Sequence, residues 1–114
     1  MIQTAETFTM QERTLIISSG KQITFDYPID TAVGFDTVIV VMLEPNKLLN
    51  ENVFGVSYDG RIMWQIEKKD HVYDESPYTY IGRKDNSVEL GNFDGLELIV
   101  EPATGKILHQ QWGK

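Results

Sequence analysis

The chain has 114 residues, 10 basic side chains against 17 acidic ones, a net charge of −7 and no cysteine. That length suits one domain, 1–114, and 41% apolar residues are enough to fill a core without staples. The composition excludes disulfides, thiolate nucleophiles and cysteine-based zinc sites; nucleic acid and anionic membranes are disfavoured, because no basic cluster exceeds the pairs Lys68-Lys69 and Arg83-Lys84.

The opening residues, Met1 to Glu6, have neither a basic n-region nor an apolar h-region, so they do not read as a signal peptide and a cytosolic protein is expected. Helical periodicity is weak and period-two patterning dominates, with turn signals about every ten residues. The predicted fold class is therefore all-β: antiparallel hairpins in a meander, forming a small sandwich or a partly open barrel, with at most one short helix near 45–50.

In chain order, a first hairpin turns at Ser18-Ser19-Gly20 and puts Leu15 and Ile17 opposite Ile23 and Phe25. Val38 to Leu43 is apolar without alternation, which predicts a strand covered on both faces and is far too short for a membrane span. The connection Glu44 to Glu51 contains Leu48-Leu49 and is expected to make a short helical turn plugging an end of the sheet.

The next hairpin closes at Asp59-Gly60. A two-residue turn would pair Gly55 with Trp64 and set Phe54 and Val56 on the face opposite Ile62, Trp64 and Ile66. A three-residue loop, Tyr58-Asp59-Gly60, pairs Val56 with Ile62 and Phe54 with Trp64, gathering the large apolar residues on one face. A one-residue slip exchanges the buried set, so the second register is predicted. After a long connection, Lys68 to Pro77, Tyr78 to Arg83 leads through Asp85-Asn86 into Val88 to Asn92. The loop Phe93-Asp94-Gly95 then places Val88 and Leu90 opposite Val100 and Leu98. Leu96 to Glu101 turns through Pro102-Ala103-Thr104-Gly105 into Lys106 to Trp112. Gly20, Gly60 and Gly95 should have positive φ, and Phe54, Val56, Ile62, Trp64, Ile66, Leu90, Leu98 and Val100 should be buried.

Chemistry is sparse. There is no Gly-x-Ser-x-Gly elbow and no glycine-rich phosphate cradle, and the only histidines are His71 and His109. Neither an enzyme nor a cofactor is expected. The segment Asp70 to Glu75 gathers an imidazole and three carboxylates, but it lacks a second histidine and the spacing of zinc or calcium loops, so no metal is expected either. The acids concentrate elsewhere too: between Gln22 and Gly60 there are six acids and one base, Lys47.

A non-enzymatic cytosolic interaction protein that docks a basic protein partner is the leading functional expectation, with acids steering the encounter and aromatics holding it. Its candidate contacts are Asp70, His71, Tyr73, Asp74, Glu75, Tyr78 and Tyr80 around the long connection, and Asp26, Asp30 and Asp36 in the acidic stretch. The rival is a small-ligand or glycan-binding module using Tyr73, Tyr78, Tyr80 and Trp112. The sequence leaves the oligomeric state open.

Two resemblances add to this. Val53 to Gln65 and Leu96 to Gln110 each end in Gly, a base, Ile, then Met or Leu, any residue and Gln: Gly60-Arg61-Ile62-Met63-Trp64-Gln65 and Gly105-Lys106-Ile107-Leu108-His109-Gln110. This resembles the blade signature of quinoprotein-type propellers, although 114 residues do not supply the four blades that closure takes. From Asn52-Val53-Phe54-Gly55 through Ser76-Pro77-Tyr78 and Asn92-Phe93-Asp94-Gly95 to Thr104-Gly105-Lys106-Ile107, the chain is also similar to small uncharacterised bacterial proteins. That resemblance implies a stand-alone, bacterial, cytosolic domain of a group that includes candidates for toxin-immunity roles.

Overall fold

The computed structural model of the chain describes residues 8–113. Those residues form eleven strands and no helix, in three antiparallel sheets that follow one another along the sequence. The N-terminal sheet is β1 (Phe8–Gln11), β2 (Thr14–Ile17) and β3 (Gln22–Thr24). The central sheet is β4 (Ile29–Gly34), β5 (Val38–Leu43), β6 (Val53–Ser57) and β7 (Ile62–Gln65). The C-terminal sheet is β8 (Tyr78–Lys84), β9 (Ser87–Asn92), β10 (Leu96–Val100) and β11 (Ile107–Trp112). Each sheet is a meander in which sequence neighbours pair. The result is a layered, sandwich-like stack that does not close into a barrel.

The apolar run of β5 explains the layering. All six of its residues are buried, and successive side chains point to opposite faces. Val38, Val40 and Met42 join a core with Val88, Leu90, Leu96, Leu98 and Val100 of the C-terminal sheet. Ile39, Val41 and Leu43 join a second core with Leu15, Ile17 and Phe25 of the N-terminal sheet. The central sheet is thus covered on both faces, as its lack of alternation predicts.

The hairpin registers follow the loop lengths. Gly20, Gly60 and Gly95 have φ of 97°, 87° and 98°, and Leu15 pairs with Ile23, Leu98 with Leu90 and Val100 with Val88. At the central hairpin the expectation is half right. Val56 pairs with Ile62, but a β-bulge follows, so that Trp64 lies opposite Gly55 and Gln65 opposite Phe54. Phe54 and Trp64 therefore face different cores. The reason is steric: a Cβ on Gly55 would stand 2.2 Å from the Trp64 indole nitrogen, so the indole occupies the room the glycine leaves. Ile62, expected in the core, sits at the margin and is 51% exposed.

The other correction is the connection 44–51, where no helical turn forms. The Asn46 carboxamide oxygen instead accepts the Leu48 and Leu49 amides at 2.8 and 3.0 Å, a side-chain-closed turn that competes with a helix, and Leu48 projects into solvent.

Each of the first two sheets also docks its last hairpin on the last hairpin of the next. Lys21 lies against Gly60, where a Cβ would approach the lysine Cβ to 2.8 Å. Trp64 lies against Gly105 (φ 78°), where a Cβ would come within 2.5 Å of the indole, and it donates its indole N–H to the Pro102 carbonyl at 2.7 Å. A third Gly-base pair, Gly20-Lys21, precedes β3 in the same way, but the residues after it, Gln22-Ile23-Thr24-Phe25, do not continue the pattern of the other two.

Candidate functional site

Alternating strand directions bring the connections 44–52 and 67–77 and the turn 93–95 to one end of the stack, the rim, and the turns 35–37, 58–60, 85–86 and 101–106 to the other. The rim is a long connection held rigid from beneath. Asn52, fully buried, donates to the Leu43 and Tyr78 carbonyls, each at 2.9 Å, and accepts the Tyr78 amide at 2.8 Å. Asn50 donates to the Asp74 carbonyl at 2.8 Å and accepts the Ser76 amide at 2.9 Å. Asn92 donates to the Ser76 carbonyl at 2.7 Å and accepts the Asp94 amide at 3.0 Å. Carboxamides suit this task, because each offers a donor and an acceptor to a strand end whose main-chain groups would otherwise be buried unpaired.

Asp94 completes the clamp. One carboxylate oxygen accepts the Val72 amide at 3.1 Å and pairs with His71 Nδ1 at 2.9 Å, and the other accepts the Leu96 amide at 3.0 Å. Both side chains of the His71–Asp94 pair are withdrawn from solvent. Burial pushes the Asp94 pKa up, but the Leu96 and Val72 amides and His71 outweigh it, and the carboxyl lies below its ordinary value.

On this frame stand exposed apolar side chains. Tyr73 and Phe93 are 55% and 60% exposed, with ring centroids 5.8 Å apart; Val72 and Leu48 are exposed as well. Beside them a groove of about 250 Å³ is lined by Pro45, Asn46, Lys47, Glu75, Pro77 and Phe93. The acids Asp70, Asp74 and Glu75 are exposed along the same connection. Among the described residues no group of three or more His, Asp and Glu side chains is placed to hold a metal ion.

The sequence-predicted contacts therefore separate. Asp70, Tyr73, Asp74 and Glu75 come together at the rim. His71 lies under it and serves to hold the connection down. Tyr78 is 1% exposed, because its pairing with Asn92 turns it into the core between the central and C-terminal sheets. Its hydroxyl is buried without a hydrogen-bond partner, and burial, with Asp94, Glu51 and Glu67 nearby, raises its pKa well above the usual tyrosine range. Tyr78 is thus corrected from surface contact to core residue. Tyr80 projects from the opposite face of the C-terminal sheet, and Trp112 lies exposed on the edge strand β11, so the tyrosines form no single platform.

The acidic stretch also divides. Asp26 lines a groove with Phe25, Leu49, Phe54 and Ile62 between the first two sheets, and Asp30 is exposed near the start of β4. Asp36 lies in the turn 35–37, at the other end of the stack. Phe93 and the residues Asn50, Asn52, Asn92 and Asp94 are the parts of the rim that sequence reasoning missed. The available signal was positional for two of them: Asn52 and Asn92 sit at the boundary between a strand and a connection.

Across the stack, no helix of the described residues is long and apolar enough to cross a membrane. No curated protein matches the chain. A crystal structure of the computationally designed Ika8 protein is similar in fold, with a TM-score of 0.61 at 15% identity; the match covers 99% of this chain and 38% of that one. The sequence itself, over residues 5–112, matches the family described as a domain of unknown function, DUF7957, and the chain belongs to that family.

Proposed function

We propose that the chain is a non-enzymatic protein-interaction module and that the rim is its docking surface. The observation that carries this is the exposed Tyr73–Phe93 pair, with exposed Val72 next to Tyr73 in the chain, displayed on a connection tied down by hydrogen bonds with Asn50, Asn92 and Asp94. Exposed aromatics on a rigid support lose little entropy on binding, and such residues dominate interface energetics. The acids Asp70, Asp74 and Glu75, exposed on the same connection, favour a basic partner, which they would steer over a distance of about 10 Å at 0.1 M salt. An immunity-type role, in which this chain holds a basic protein in the cytoplasm of a bacterial host, is the specific form of this reading.

The test is affinity capture from the native host with wild-type chain and with a Tyr73→Ala/Phe93→Ala variant. A partner that the wild type captures and the variant loses, and whose association slows with salt and with charge reversal of Asp70, Asp74 and Glu75, supports the module. A captured partner indifferent to all of these changes overturns the assignment of the rim.

A further inference from the structure

The rim groove of about 250 Å³ combines three kinds of group. Pro45, Pro77 and Phe93 give it apolar walls, Glu75 and Lys47 carry its charges, and Thr79 adds a hydroxyl. Among the described residues, the Glu75 carboxylate, the Lys47 ammonium and the Thr79 hydroxyl are engaged in no hydrogen bond or ion pair, not even with one another. The groove is smaller than the roughly 300–1,000 Å³ of small-molecule sites and suits one long side chain. The other end of the stack shows which side chain fits such a setting. There the Arg83 guanidinium carbon lies 4.2 Å over the Phe35 ring, and the guanidinium donates to the Gly34 carbonyl. A flat cation is held on a ring face and by an oxygen acceptor at once, a task for which a guanidinium is better shaped than an ammonium. Phe93 and Glu75 offer the same two partners at the rim.

We infer that the groove takes an arginine side chain of a basic protein partner. Its stem packs against Pro45 and Pro77, and its guanidinium lies on the Phe93 ring and bonds to Glu75, with the Thr79 hydroxyl as a second acceptor. This rests on the rim being the docking surface and names what the partner inserts there. Charge decides against other occupants. The chain carries a net −7, Asp70 and Asp74 are exposed on the connection that bears Glu75, and a ring face attracts cations and not anions. An acidic side chain would find only Lys47 to answer it. An aliphatic one would cover the Glu75 carboxylate with nothing to pair it, which costs free energy. Lys47 is exposed, and its flexible stem lets the ammonium move out to water.

The experiment is an amide NMR titration of the full chain with four capped tripeptides, acetyl-Ala-X-Ala-amide, in which X is Arg, Lys, Leu or Glu. The Arg peptide should shift the amides of Asn46, Glu75 and Phe93 saturably, with a Kd on the order of millimolar. The Lys peptide should bind about threefold more weakly or worse, and the Leu and Glu peptides should not saturate. Glu75→Gln should weaken the Arg peptide by about fivefold or more. Phe93→Leu, which keeps an apolar wall and loses the ring face, should weaken it by about threefold or more. Lys47→Ser, which removes the competing cation, should tighten it. Asp70→Asn and Asp74→Asn should change it by less than about twofold, because neither side chain lines the groove. All these positions are exposed, so each variant should melt as the wild type does. If another peptide binds as well as the Arg peptide, or if Glu75→Gln has no effect, the arginine assignment is wrong. Binding led by the Glu peptide and abolished by Lys47→Ser would give the groove to an anion instead. A partner captured through Tyr73 and Phe93 while the Arg peptide fails to bind would leave the docking surface standing and remove the arginine from it.

Discussion

The two junctions of the stack use one device with different strength. At both, a side chain of one sheet covers the glycine of the next sheet's last hairpin. Between the N-terminal and central sheets that side chain is Lys21 on Gly60. The rest of the junction is mostly apolar, with Phe25 and Phe54 rings 5.1 Å apart and one main-chain bond, from the Ile29 amide to the Glu12 carbonyl at 2.8 Å. Between the central and C-terminal sheets it is Trp64 on Gly105, anchored to the Pro102 carbonyl. There Asn52 joins both sheets, and Arg83 lies 4.2 Å over the Phe35 ring and donates to the Gly34 carbonyl. Hydrophobic contact is non-directional and tolerates sliding, whereas directional bonds fix how one sheet sits on the next. The rim stands at the Asn52 end of this junction, and Trp64 and Arg83 fasten its other end.

The largest test of this contrast is Trp64→Ala against Lys21→Ala. Loss of the indole should cost about 3–5 kcal/mol, because it empties the space between Gly55 and Gly105 and strands the Pro102 carbonyl. Loss of the lysine stem should cost less than about 1 kcal/mol. Urea unfolding midpoints measure both, and equal costs would mean the junctions are equivalent. Next comes Asn52→Ala, which leaves the Leu43 and Tyr78 carbonyls and the Tyr78 amide unpaired in the core and should cost about 3 kcal/mol. The third is a glycine series. Gly20→Ala meets nothing within 4 Å and suffers only the strain of its positive φ, about 1 kcal/mol. Gly105→Ala adds a collision with the indole and should cost about twice that or more. A flat series would show that the glycines matter for the turn alone.

Much of the frame was legible in the sequence. Val38 to Leu43 lacks alternation because both its faces are buried, and the Ser-Ser-Gly, Tyr-Asp-Gly and Phe-Asp-Gly loops dictate their turns through one left-handed glycine each. What escaped has a common cause: it depends on a neighbouring layer. The bulge after Ile62 exists because Trp64 must reach Gly105, some forty positions away in another sheet, and no local pattern encodes that. Tyr78 reads as a rim tyrosine until its pairing with Asn92 is known. The asparagines read as loop polarity, since their partners are main-chain atoms of strands brought close only by the fold.

The electrostatic test concerns the clamp beneath the rim. The folded-state pKa of Asp94 is lowered, so the unfolded chain binds this proton more tightly and the stabilisation is present above the ordinary carboxyl range. It should be lost as the pH falls below about 4 and through the depressed value. Asp94→Asn should remove this part of the acid slope while weakening the hold on Val72 and His71 at neutral pH. Denaturation midpoints from pH 7 down to about 3 report the difference; parallel curves for the two proteins would mean that the carboxylate is not linked to folding.

The smallest expected effect on stability is also the one that separates binding from folding. Tyr73 and Phe93 touch each other, yet each is more than half exposed, and truncating an exposed ring removes little burial. Tyr73→Ala and Phe93→Ala should each shift stability by only about 0.5 kcal/mol, because the connection that carries them is tied by Asn50, Asn92 and Asp94 rather than by the rings themselves. Were the rings structural, the pair would be coupled, and the double variant would cost less than the sum of the single ones by more than about 0.5 kcal/mol. A double-mutant cycle in urea therefore distinguishes an aromatic pair that fastens the connection from one that is displayed by it. Additive, small costs mean that the rings are free to serve a partner, and a large coupling would move them from the docking surface into the clamp.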